Sequence, residues 1–137
     1  MADSVPALVD LWAAAADSAP PRLSNLQWRA LMAAQRSPGI NLTRLAEEVG
    51  AGAPATSRLC DRLEAAGLLR RCRTEANRRE VGLTLTRQGR ETVDRLHERR
   101  TEALQEILGL MTTGDRQSLL DGLQAFARAA KEQPPAE

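Results

Sequence analysis

Between Asn41 and Leu85 the chain passes from helical to strand periodicity, with glycines at the joints, and this order restricts its architecture more than any other stretch. Asn41 is a good N-cap, because its side-chain oxygen can accept from free amides of the first turn. Leu42, Leu45, Ala46 and Val49 then form one apolar stripe, and Gly50 can supply the left-handed residue that stops a short helix. A turn over Gly50 to Gly52 leads into another helix with Pro54 near its first position, where a missing amide costs nothing. Helical spacing puts Ala55, Leu59, Leu63 and Ala66 on one side of it, with Ser57, Arg58, Asp61 and Ala65 opposite. Gly67 closes this helix. Leu68 to Arg73 and Glu80 to Leu85 have the composition of two strands joined by Thr74 to Arg79.

Helix, short turn, helix and basic hairpin make a winged helix-turn-helix. The expected class is mainly α with a small β wing (α+β), with flanking N- and C-terminal dimerisation helices. Val5 to about Asp17 is alanine-rich, with Leu8, Val9, Leu11 and Trp12 apolar, and ends before Pro20 and Pro21. A second helix follows Ser24 or Asn25, carrying Leu26, Trp28, Leu31 and Met32 until Ser37, Pro38 and Gly39 break it. After the hairpin, Thr86 is a suitable N-cap for a long helix with Val93, Leu96, Leu104, Ile107, Leu108 and Met111 on one face. A last helix from about Thr113 carries Leu119, Leu120, Leu123, Phe126 and Ala127. These terminal apolar faces want a partner, and the economical partner is another copy.

At 137 residues the chain suits a single domain spanning 1–137, with a winged module at 24–89 and dimerisation helices at 1–23 and 90–132. Charged residues make up 27% and apolar residues 42%, which argues against both disorder and a membrane protein. No apolar run approaches the roughly 20 residues of a spanning helix. Met1 to Ser4 lack the positive flank of a secretory signal, so a cytoplasmic location is expected. Two cysteines, Cys60 and Cys72, are too few for a disulfide framework, and one histidine leaves no zinc cluster, so no metal or cofactor is expected. The net charge is only +1, but distribution matters more than total. Between Leu68 and Glu80 five arginines face only Glu75 and Glu80.

Four ordered segments carry a family resemblance: Leu26-x-Trp28-x-x-Leu31; Leu45-Ala46-Glu47-Glu48-Val49-Gly50; Ser57-Arg58-Leu59-x-Asp61-Arg62-Leu63-Glu64-x-x-Gly67-Leu68-Leu69; and Asn77-Arg78-Arg79 followed by Leu83-x-Leu85-Thr86-x-x-Gly89. In that order and spacing they resemble the MarR family of bacterial transcriptional regulators, from about Leu23 through Gly89 in motifs and to about Lys131 in helix order. The resemblance implies a homodimer with interlocked terminal helices, two winged modules on a pseudo-palindromic operator in double-stranded DNA, and a small aromatic or phenolic effector. It makes Pro54 to Ala66 the recognition helix. Thr56, Ser57 and Arg58 fall on groove-facing positions, Arg62 on one that meets phosphate, and Arg78 or Arg79 on the wing tip. The family commonly has aspartates where Thr74 and Asn77 stand, so the resemblance implies a wing that is looser or differently braced here.

Physical chemistry ranks these residues. Arginine can pair bidentately with guanine, so Arg58 is the first candidate for direct readout. Ser57 and Thr56 suit phosphate or shape contacts, and Thr56, angularly nearer the core, has back-bonding within its helix as an alternative. A narrow minor groove attracts arginine, which favours Arg78 and Arg79. Among Arg70, Arg71 and Arg73, strand alternation keeps some away from DNA, and Arg73 is preferred. Asp61 would repel phosphate, so its expected job is orienting Arg58 or Arg62. Trp12, Trp28 and His97 are weaker candidates for an effector pocket, against ordinary packing.

The expected function is therefore a homodimeric DNA-binding repressor released by an effector. The alternatives are a winged-helix protein-interaction module without DNA binding, or a redox-sensing regulator using Cys60 or Cys72. An enzyme is not expected, because no nucleophile, base or phosphate-loop arrangement is present.

Overall fold

Helix starts in this protein fall where a side chain can take up amides that the first turn leaves free. The computed structural model describes residues 4–18, 20–73 and 80–132. After α1 (Ser4–Asp17), Ser24 caps α2 (Asn25–Arg36) in a reciprocal box, its hydroxyl accepting from the Gln27 amide while the Gln27 side chain accepts from the Ser24 amide. Asn41 caps α3 (Leu42–Val49) by accepting from the Arg44 amide at 2.8 Å. Gly50 ends α3 at φ 69°, a left-handed conformation that side chains disfavour. Gly52 then opens α4 (Ala53–Ala65), with Pro54 in its first turn.

Three strands form one antiparallel sheet in the order β1-β3-β2. β2 (Leu69–Arg73) and β3 (Val81–Leu85) are the expected hairpin, in the register Leu69 to Leu85 and Arg73 to Val81. β1 (Ile40–Asn41) was not expected: at two residues it is too short to show alternation, and it exists only because Ile40 lies against Leu83. The Asn41 side chain also donates through Nδ2 to the Glu80 carboxylate at 2.7 Å. Thr86 starts α5 (Arg87–Leu110), its hydroxyl accepting from the Gly89 amide, and Thr112 does the same for α6 (Thr113–Glu132) through the Asp115 amide.

The chain divides into two compact units, Met1–Arg100 and Thr101–Glu137, so the division falls inside α5. In the first unit Leu31, Leu45, Val49, Leu63, Leu68, Leu69 and Val93 are almost wholly buried and join α2, α3, α4, the sheet and α5 in one core. Each such side chain contributes about 1.5–3 kcal/mol, which fixes α4 firmly to its support. Gly89 on α5 passes so close to the strand approach that an added Cβ would lie 2.1 Å from the Leu68 carbonyl oxygen. In the second unit no α6 residue is buried, and Leu120, Leu123 and Phe126 are exposed. Among the described residues no helix is long and apolar enough to cross a membrane.

Candidate nucleic-acid interface

The buried side of α4 is set by Thr56, Leu59, Cys60 and Leu63. This corrects the sequence reading, which placed Ala55 and Ala66 there; both are exposed. Thr56 must accordingly leave the DNA-facing set: it is fully buried, and its hydroxyl donates to the Gly52 carbonyl at 3.0 Å. That back-bond removes a polar group from an apolar surrounding without leaving it unpaired. Ser57 is half-buried, whereas Arg58 and Arg62 are exposed on the outward side.

Arg58 and Arg62 flank a shallow cleft of about 270 Å³ shared with Ser24, Leu26 and Gln27 from the start of α2. Leu26, expected in the apolar stripe of α2, is instead 38% exposed beside these arginines, while Ala30, Leu31, Ala33 and Ala34 form the buried side. Among the described residues no carboxylate pairs with Arg58 or Arg62. Two unneutralised guanidinium groups beside a helix start form a surface suited to phosphates and base edges.

Asp61 does not orient Arg58 or Arg62. It accepts from Arg71 of β2 at 2.6 Å, and Glu64 pairs with the same guanidinium. The Asp61 hydrogen bond, with the negative charge of Glu64, holds the Arg71 guanidinium more firmly protonated despite some desolvation. Exposed pairs of this kind contribute little to stability, but one guanidinium clasping two helix carboxylates ties the hairpin to α4. The two carboxylates are thereby kept from neutralising Arg58. Arg70 donates to Thr84 across the strands at 3.2 Å, and Arg73 is exposed at the end of β2. Arg78 and Arg79, with Thr74 and Asn77, lie outside the described residues.

Cys60 is buried, and burial is the largest influence on its thiol, pushing its pKa up against the opposing pull of Arg71. A thiol so held is a poor nucleophile and a poor oxidant sensor. Cys72 is half-buried, its thiol 3.6 Å from the Gly82 carbonyl oxygen. Among the described residues no group of His, Cys, Asp and Glu could hold a metal ion.

Trp12 and Trp28 come together around a residue the sequence reading did not single out, Arg100 of α5. His97 is exposed and does not line the cleft beside Trp12. Arg100 continues the stripe Val93, Leu96, and a charged residue in an apolar period was the signal that could have found it.

Comparison with known proteins agrees with this layout. Residues 23–80 match the model of the MarR family. The chain is 30% identical over 107 residues to YfiV of Bacillus subtilis (strain 168), an uncharacterised HTH-type transcriptional regulator, covering 78% of this chain and 67% of that protein. Among solved structures, RV1404 from Mycobacterium tuberculosis is similar with a TM-score of 0.84 and 31% identity, over 91% of this chain and 86% of that one. The transcriptional repressor CouR, bound to a 23-mer DNA duplex, is similar with a TM-score of 0.68 and 28% identity, over 90% of this chain and 86% of that one.

Proposed function

The chain belongs to the MarR family of winged-helix transcriptional regulators, and we propose that it is a homodimeric repressor acting in the cytoplasm on a pseudo-palindromic operator. The observation that carries this reading is the outward face of α4, where Arg58 and Arg62 stand exposed and, among the described residues, unpaired, while Leu59, Cys60 and Leu63 anchor the opposite face. A helix held by one side presents the other at fixed height to a major groove. Arg58 reads base edges and Arg62 meets phosphate, with Ser57 beside them. Arg73, and Arg78 and Arg79 beyond the described part of the hairpin, are assigned to flanking phosphates and the minor groove from their sequence position. The DNA-bound relative CouR supports the same use of the fold. The protein-interaction alternative has less support, because unneutralised arginines next to a helix start suit phosphates better than an apolar partner.

Release from the operator is assigned to a small molecule taken up beside Trp12, where a cleft of about 360 Å³ is within the range of small-ligand sites. The direct test is anisotropy of labelled duplexes carrying inverted repeats from upstream of the protein's own gene, titrated at several salt concentrations. Affinity should fall linearly on a double-logarithmic salt plot, with a slope of about −0.9 for each phosphate contacted, and a scrambled duplex should bind much more weakly. Equal binding of repeat and scrambled duplexes would sink the operator reading.

A further inference from the structure

Asp61 and Glu64 are out of place on a helix that meets DNA. From Arg58 to Glu64, α4 carries two arginines against two carboxylates, so this stretch has no net charge of its own. Asp61 stands three residues after Arg58, a spacing at which opposite charges on a helix meet, and its side chain is 59% exposed. Arg58 is the cation that helical spacing offers it, since the adjacent Arg62 points elsewhere. Paired in that way, Arg58 would reach base edges already neutralised, with a negative neighbour turned toward the phosphates. Asp61 and Glu64 share the same three-residue spacing with like charges, an unfavourable pair unless a cation stands between them.

That cation comes from the hairpin. Arg71 lies on β2 opposite Leu83 of β3, two residues after the buried Leu69, and strand alternation turns it to the same side as Leu69. Its guanidinium donates to the Asp61 carboxylate through Nη2 at 2.6 Å and to the Glu64 carboxylate through Nη1. A planar fork with fixed donors can serve two carboxylates one helical turn apart, which a lysine ammonium does less well. With both carboxylates committed to the strand, Arg58 and Arg62 are left without an acidic partner among the described residues. Once Arg71 is counted, three arginines stand against two carboxylates, so the sign of this surface is decided by the strand and not by the helix.

We propose that Arg71 is a positioning residue for DNA binding: it acts on the duplex without touching it, by holding Asp61 and Glu64 away from Arg58 and Arg62. This role rests on the reading of α4 as the groove-facing helix, and it makes part of the affinity depend on a residue outside that helix.

A charge-removal cycle on the full chain tests it, read by anisotropy of labelled inverted-repeat and scrambled duplexes at several salt concentrations. Arg71→Gln should weaken duplex binding at least about tenfold, as like charges facing each other at an interface do. Arg71→Lys, which keeps the charge and loses the fork, should fall between that variant and the parent. Asp61→Asn combined with Glu64→Gln should bind at least as tightly as the parent. Adding Arg71→Gln to that pair should change affinity by less than about twofold, because no carboxylate remains to be held. Recovery in the neutralised background also excludes misfolding as the cause, since the same arginine is missing there. An Arg71→Gln protein that binds like the parent would overturn the role. So would equal losses in both backgrounds with a salt slope shallower by about one, which would make Arg71 a phosphate contact. Weaker binding by the Asp61→Asn, Glu64→Gln protein would overturn it too, because the clasp would then matter as a mechanical root for the hairpin. Equal binding of repeat and scrambled duplexes by the parent would remove the operator reading alone, and the cycle decides the role of Arg71 on either duplex.

Discussion

Thr56 and Arg58 are near neighbours on α4 with opposite surroundings, one wholly enclosed and one open to solvent. Arg58→Ala should therefore lower operator affinity by about 1–3 kcal/mol and relax sequence preference, measured by competition between cognate and scrambled duplexes. Arg62→Ala should weaken both duplexes alike and make the salt slope shallower by about one. Thr56→Val should leave DNA affinity alone, with a stability change of about 1 kcal/mol at most, from the back-bond it deletes. If Thr56→Val instead weakened DNA binding while Arg58→Ala did not, the assignment of faces on α4 would be wrong. Helical spacing alone set Arg58 opposite the leucines, whereas Arg62 came from the family resemblance; both side chains are exposed in the structure. The sequence reading misplaced Ala55 and Ala66 because alanine carries too little apolar surface to orient a helix, whereas Cys60 and the hydroxyl of Thr56 fit where the neighbouring elements close in. It missed the partnership of Asp61 with Arg71, which requires strand and helix to be already packed.

Helix boundaries were legible because their signals are local. Asn41, Gly50, Pro54, Thr86 and Thr113 all stand where the sequence placed them, whereas β1 depends on a strand far along the chain and left no local trace. Two glycines show how different such joints can be. At Gly50 nothing lies within 4 Å of an added Cβ, so Gly50→Ala carries only the left-handed strain, about 1 kcal/mol. At Gly89 the added methyl would meet the Leu68 carbonyl, backbone against backbone, and Gly89→Ala should cost about 1–3 kcal/mol or more. Thermal or urea unfolding of both variants checks this ordering. A Gly89→Ala protein as stable as Gly50→Ala would mean that α5 can ride away from the strand, contrary to the close approach described.

Described separately, both units leave apolar surface without cover. Val5, Val9 and Trp12 of α1 are exposed in the first, and Leu110, Leu120 and Phe126 in the second. Isolated helices are marginal in water, so a 20-residue helix with no buried residue argues for a second copy of the chain. Sedimentation at micromolar concentration should accordingly show a dimer, and a monomer at that concentration would contradict the assembly. In the proposed dimer the uncovered state of α6 would tie integrity to abundance: dilution would act on such a molecule as a gentle denaturant, and its melting midpoint would climb as more chains are added. A cell that throttled synthesis of a regulator so assembled would then lose occupancy twice, through fewer copies and through a smaller share of them correctly assembled.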